Sequence, residues 1–257
     1  MKTLLLPLLT ITALFLNACG MNMIVGSGKL ISETRKVKGF EQIVLSVPAR
    51  LVLTQDENES LEISAEDNLL PYIHTRVENG ILSIYLEPEF TSIRPTEEIL
   101  IHLSAKSISA VTINGSGDVE SEAINAETLT FRINGSGEIA VEEVEANQLS
   151  ATINGAGKMS FDNIAAKTTS LRIEGSGKYL IAGKSIEAQV SIDGSGRIEA
   201  QSLECEQVQA SITGAGNISV WASERLTAKI TGSGDIAYQG QAKVSKTIIG
   251  SGSVHQE

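Results

Sequence analysis

One row, six of its eight residues charged, is placed as if for chemistry: Asp118, Glu138, Lys158, Lys178, Arg197, Asn217, Asp235 and Ser253 each follow directly on a Gly-Ser-Gly or Gly-Ala-Gly. If those tripeptides stack, Asp118 and Glu138 lie ~5 Å apart at the backbone. Two carboxylates at that separation, facing a cleft, could couple and divide acid and base roles, the equipment of a glycoside hydrolase or polysaccharide lyase. The alternative is a solvated row in which Glu138 approaches Lys158 instead. The Asn-Thr-Asp, Gly-His-Gly and Arg-Ile-Lys motifs of polygalacturonase-like enzymes are absent, and His74, His102 and His255 are scattered without metal-ligand spacing. Gly-Ser-Gly-Asp at 115–118 and 232–235 lacks the nine-residue period of a calcium roll. The reading is therefore non-enzymatic, with no metal and no cofactor.

A second row is suited to binding. Thr112, Arg132, Thr152, Arg172, Ser191, Ser211 and Lys229 each stand one residue before an isoleucine, and Thr130, Ser150, Ser170, Gln189, Gln209 and Thr227 stand two residues further back. On one sheet face they would form a flat wall of hydroxyls and amides with three cations, able to meet a glycan or another envelope protein. Any exposed sheet carries Thr, Ser and Lys, so the row reads equally as an ordinary solvated surface.

Both rows depend on a repeat. The first glycines of the tripeptides, Gly115, Gly135, Gly155, Gly175, Gly194, Gly214, Gly232 and Gly250, are separated by 20, 20, 20, 19, 20, 18 and 18 residues. A period near 20 marks small units stacked along one axis. Two apolar columns run through them: Ile113, Ile133, Ile153, Ile173, Ile192, Ile212, Ile230 and Ile248 before the glycines, and Val119, Ile139, Met159, Tyr179, Ile198, Ile218, Ile236 and Val254 after them. These alternate with polar residues, as strands do, and their β-branched bias and repeated glycines argue against helix. The prediction is an all-β chain, a single-stranded right-handed parallel β-helix with coils of about 20 residues, ~4.8 Å apart and turning at two or three corners. The glycines answer the crowding at one corner, and Ser or Ala lies between them where a larger side chain would meet its copy in the next coil. Asn114, Asn134 and Asn154 are placed to hydrogen-bond along their column.

Composition agrees. The 257 residues are 42% hydrophobic but only 4% aromatic, which suits a narrow interior, and the net charge of −11 without a basic stripe excludes nucleic acid as a partner. Residues 29–105 are less regular but β-rich, with a hairpin signal at Asn79-Gly80, and are expected to cap the solenoid formed by residues 106–257. Gly26-Ser-Gly28 looks like an outlying copy of the corner motif. Cys205, between two glutamates, reads as an apolar filler.

The first residues resemble a bacterial lipoprotein signal peptide over 1–18: Lys2, an apolar run from Leu4 to Leu16, then a lipobox ending at Cys19. The resemblance implies lipid on Cys19, a short linker over 19–28 and membrane attachment through the acyl chains. Gly20, where Asp would retain the protein in the inner membrane, points to the outer membrane, facing the periplasm or the surface.

Beyond the anchor, Arg35-Lys-Val-Lys-Gly-Phe40 followed by Gln42-Ile-Val-Leu45, then Val77-Glu-Asn-Gly-Ile-Leu-Ser-Ile84 and the repeated Ile-Asn-Gly-Ser-Gly, resemble the bacterial head GIN domain family, labelled an auto-transporter adhesin head. That likeness covers nearly all of the mature chain. It implies a β-solenoid envelope domain and carries over no catalytic residues. The long passenger and translocating barrel of an auto-transporter are missing from the sequence.

Overall fold

The computed structural model describes residues 23–88 and 92–257. Within them the chain is a β-solenoid. Its central coils are long bent strands, Asp118–Gly135, Glu138–Gly155, Lys158–Gly175, Lys178–Gly194, Arg197–Gly214 and Asn217–Gly232, each paired in parallel with the next. Pairing is interrupted at the same places in the regular coils. Between the first two it holds over 118–121, 123–126 and 128–135, so a coil has three sides, and the glycine tripeptide forms one of its three corners.

Both isoleucine-type columns stack in register and face the interior. The series from Ile113 to Ile230 is at most 2% exposed, and the series from Val119 to Val254 at most 8%. Each such side chain contributes about 1.5–3 kcal/mol by leaving water. Phe131 and Phe161 meet across the interior with ring centroids 5.2 Å apart. Only at the last coil does the first column surface, with Ile248 37% exposed.

The corner is tight for two different reasons. Gly175 has φ +126°, and a Cβ there would stand 2.5 Å from the Gly155 carbonyl oxygen of the coil below. Gly177 has no unusual φ, but a Cβ would meet Cγ2 of Ile153 at 2.6 Å. The first glycine thus permits the backbone to bend and stack, while the second makes room for the isoleucine ladder. The intervening Ser136, Ala156, Ser176 and their equivalents are exposed, so the crowding expected of them falls on the glycines instead. Beside the corner the asparagine column does form: Asn134 Nδ2 donates to Asn114 Oδ1 at 2.9 Å, and Asn154 Nδ2 to Asn134 Oδ1 at 2.8 Å. The one 19-residue interval is absorbed at Gly183, which takes the place of an apolar residue opposite Ile164 at φ +123°.

The N-terminal β-rich region does two jobs. Strands Gln42–Leu45 and Arg50–Gln55 stack directly under Ala110–Gly115 and Asp118–Ser121, and Ile81–Leu86 and Leu100–Ala105 stack under those in turn, all in parallel. Leu45 and Ile84 thereby extend the isoleucine column, and Leu51 and Ile101 the second column. These rungs lie out of chain order, with 42–55 sandwiched between 81–105 and the repeats. The end is then closed by antiparallel strands. Ile73–Glu78 pairs with Ile81–Leu86 through the Asn79-Gly80 hairpin, and Ser60–Glu66 lies between Leu100–Ala105 and Leu30–Arg35. No helix among the described residues is long and apolar enough to cross a membrane.

Gly26-Ser-Gly28 is not a corner of the solenoid. It wraps the carboxylate of Glu66, which is 0% exposed. Glu66 Oε1 accepts the Gly28 N–H at 2.6 Å and the Thr96 hydroxyl, Oε2 accepts the Thr96 N–H at 2.9 Å, and a Cβ on Gly26 would lie 1.9 Å from Oε2. Ser27 adds bonds from its N–H to Asn68 Oδ1 at 2.9 Å and from its hydroxyl to Asp67 Oδ1 at 2.6 Å. Burial alone would raise the Glu66 carboxyl, but the hydrogen bonds from Thr96, Gly28 and Glu97 outweigh it and hold it below the ordinary range. With the folded value depressed, the clasp is fully formed above the ordinary glutamate range and is lost as pH falls through the folded value. Hydrogen exchange should find the Gly28 and Thr96 amides protected at neutral pH and released in acid. Glu66→Gln, which turns a second acceptor into a donor, should release them at neutral pH; unaltered protection in that variant would refute the clasp.

Candidate binding surface

The charged row stacks as its spacing implies, from Asp118 through Glu138, Lys158, Lys178, Arg197, Asn217 and Asp235 to Ser253, with Arg50 below Asp118. Its charges are spent on one another and on the neighbouring column. Lys158 Nζ lies 2.5 Å from Glu138 Oε1, Arg50 Nη2 2.6 Å from Glu120 Oε2, and Lys178 Nζ 2.9 Å from Glu199 Oε1. Asp235 accepts the Ser253 hydroxyl and lies 3.4 Å from His255 Nδ1. Asp118 Oδ1 accepts the Glu138 N–H at 3.0 Å. Burial raises the Asp118 carboxyl above the usual carboxylate range, and the charges of Glu138, Glu120 and Glu98 push the same way against that hydrogen bond. A protonated Asp118 could serve as a general acid. Neither of the two grooves that run along the repeats, however, is lined by Asp118 or Glu138.

The predicted binding row is likewise in register: Thr112, Arg132, Thr152, Arg172, Ser191, Ser211 and Lys229 line up on the outer face of the third side, the longest of the coil. Arg132, Arg172 and Lys229 are exposed, and the hydroxyl residues between them are half-buried by their neighbours. Arg172 Nε is held 2.7 Å from Glu174 Oε1, whereas Arg132 and Lys229 form no ion pair among the described residues. Two coils separate Arg132 from Arg172, about 10 Å. The row two residues back, from Thr130 to Thr227, also faces outward, and from Ser150 onward it borders a groove of about 460 Å³ with Gln148, Glu187 and Arg225 on its far wall.

A larger groove, of about 820 Å³, was not expected. It follows the corner around residue 127, on the other side of that corner from the predicted row. Its floor is a column of small residues, Ala126, Ala146, Ala166, Ser185 and Cys205, stacked in register. In the sequence the floor shows as a small residue nine positions before each glycine from Gly135 to Gly214, a pattern that gives no sign of depth. Cys205 is 3% exposed, and burial pushes its thiol up to about 12, so it stays protonated and inert. Among the described residues no group of three His, Cys, Asp or Glu side chains is placed to hold a metal ion. Cys19 and the signal segment lie outside the described residues.

A rod of stacked coils with paired charges and open, polar outer walls defines a β-solenoid surface module. The family model described as "Putative auto-transporter adhesin, head GIN domain" matches residues 39–242, and the chain belongs to that family. A Parabacteroides distasonis ATCC 8503 protein described as a putative lipid binding protein is 27% identical, with a TM-score of 0.88 over 91% of this chain and 99% of its own. Two proteins described as putative adhesins, from Parabacteroides merdae ATCC 43184 and P. distasonis ATCC 8503, are each 24% identical with a TM-score of 0.87. They cover 91% and 92% of this chain and 99% and 100% of their own, a likeness that shows the fold. None of these names is an enzyme's. Among curated proteins none matches the sequence.

Proposed function

We propose that this protein is a lipid-anchored, non-catalytic module of the cell envelope that presents its solenoid wall for adhesion, with a glycan or another envelope protein as partner. The observation that carries the reading is the disposition of charge. The charged row beside the glycine corners is paired along the rod and borders neither groove, and the exposed row from Thr112 to Lys229 offers repeated hydroxyls with two cations, Arg132 and Lys229, that form no ion pair among the described residues. Lipid on Cys19 would place the capped end of the rod nearest the outer membrane, four residues before the strand Met23–Val25. Met23, Val25, Leu30 and Ile31, exposed by 57, 52, 48 and 39%, suit that proximity to a bilayer, and they are also the feature that fits the lipid-binding description of the P. distasonis relative. Labelling with an alkyne fatty acid should mark the wild type and not Cys19→Ala.

The test of the wall is a glycan array. Binding should fall about tenfold or more in the double variant Arg132→Ala, Arg172→Ala, given the strength of charge-assisted hydrogen bonds. Unchanged binding would remove the row from the reading. Catalysis by Asp118 with Glu138, as in a polysaccharide lyase or glycoside hydrolase, is the rival account; release of sugar products from purified envelope polysaccharides, abolished by Asp118→Asn, would establish it instead.

A further inference from the structure

The larger groove has features that neither the charged row nor the predicted wall requires. It runs along the rod past six successive rungs, Asn125, Glu145, Ala165, Lys184, Glu204 and Trp221, which stack in parallel register. Five steps of ~4.8 Å give a trough about 24 Å long. Its depth has a simple origin: the next column holds only Ala, Ser and Cys, so the surface sinks between two walls of longer side chains. Trp221, the chain's one tryptophan, stands half-buried at one end, and Ile186, 46% exposed, interrupts the opposite wall. An apolar floor with an accessible indole at its end is a surface on which a flat, partly apolar ring can lie.

The walls narrow the class of ligand. Glu127, Glu145, Glu204 and Glu206 outnumber Lys167 and Lys184, so a polyanion is repelled. Glu127, Glu206 and Lys167 form no side-chain hydrogen bond or ion pair among the described residues, whereas Asn125 Nδ2 donates to Glu145 Oε2 at 3.2 Å and Lys184 Nζ lies 3.5 Å from Glu204 Oε2. A peptide strand finds no edge to extend, because the backbone of these rungs is already paired with the coils above and below. A lipid chain would bury the charged walls without partners. A pyranose matches both surfaces, with C–H faces for the floor and the indole, and hydroxyl edges for carboxylates, ammoniums and amides. An extended β-linked chain also advances by about one coil spacing per sugar.

From this we infer that the groove ending at Trp221 binds a neutral, extended, β-linked oligosaccharide lying along the rod, at a site separate from the Arg132 and Arg172 wall. Because Trp221 is the only tryptophan, its fluorescence reports this groove alone. Titration of the intact protein with cellohexaose is expected to give a saturable intensity change and blue shift, and an oligogalacturonate of equal length none. Trp221→Ala, followed calorimetrically, should weaken cellohexaose binding about tenfold. Should that variant fold poorly, Ala166→Gln fills the floor while keeping the indole, and should abolish the saturable change. Arg132→Ala with Arg172→Ala should leave it intact, which separates failure of this site from failure of the wall. Absence of a saturable change, an equal response to the anionic oligomer, persistence in Ala166→Gln, or loss in the double arginine variant would each overturn the assignment.

Discussion

Gly155→Ala should lower the urea unfolding midpoint far more than Gly115→Ala, although both glycines begin the same tripeptide and both have positive φ, +131° and +112°. A side chain in that region of backbone space strains either site by about 1–3 kcal/mol. What differs is the floor beneath. A Cβ on Gly155 would stand 2.3 Å from the Gly135 carbonyl oxygen and 3.2 Å from its carbon, whereas one on Gly115 meets nothing within 4 Å. Gly115 lies at the end of a rung whose lower neighbour, Gln42–Leu45, stops short of the corner. At Gly155 the alanine must lift one coil off the next, and the Asn154–Asn134 bond and the adjacent ladder bonds go with it. The cost there should total about 4 kcal/mol, in the range of the most severe single substitutions. Because each coil contacts its neighbours only, the damage should be local, with hydrogen exchange accelerated in the coils on either side of Gly155 before the ends of the rod respond. Equal losses at the two positions would mean that φ alone, and not coil stacking, sets the requirement for glycine.

That contrast also shows what the sequence could and could not convey. A period of 20 residues states that like lies over like, and from it followed the two apolar columns, the asparagine ladder, and the approach of Lys158 to Glu138. Asn79-Gly80 is a local signal and its hairpin formed as local signals do. Where no tripeptide fixes the register, alternation tells a strand which face it buries but not which strand lies beside it. Leu45 and Ile84 therefore gave no sign that they sit in one column, out of chain order, beneath Ile113. Gly26-Ser-Gly28 misled for the opposite reason: its letters repeat the corner, but its partner is the Glu66 carboxylate, distant in sequence. The rows of the binding wall were legible as rows. The groove was not, because its depth depends on two walls and a floor whose relative height appears only once the corner at residue 127 is built.

Lys246→Leu should convert the free end of the rod into a self-associating surface. One core column runs Val111, Phe131, Ala151, Leu171, Val190, Ala210 and Ala228, all at most 2% exposed, and the next residue in register is Lys246. The last strand on this side of the coil, Lys243–Gly250, is paired on one side only, with Asn217–Gly232, and among the described residues no antiparallel cap of the kind built from residues 60–78 covers it. Such an end presents unpaired backbone and the exposed Ile248 and Ile249, a template for another strand. A lysine in a core-facing register position opposes that pairing, since a further coil or a second copy stacked there would bury an ammonium without a counter-charge. Leucine removes the penalty and extends the apolar column to the surface. Sedimentation velocity should then show a concentration-dependent mass increase for Lys246→Leu that added salt does not reverse, while Lys246→Glu, which keeps a charge of either sign at the end, behaves as the wild type. If the leucine variant sediments like the wild type up to high micromolar concentration, the lysine is not what keeps the end free, and protection must reside in the strand's own twist.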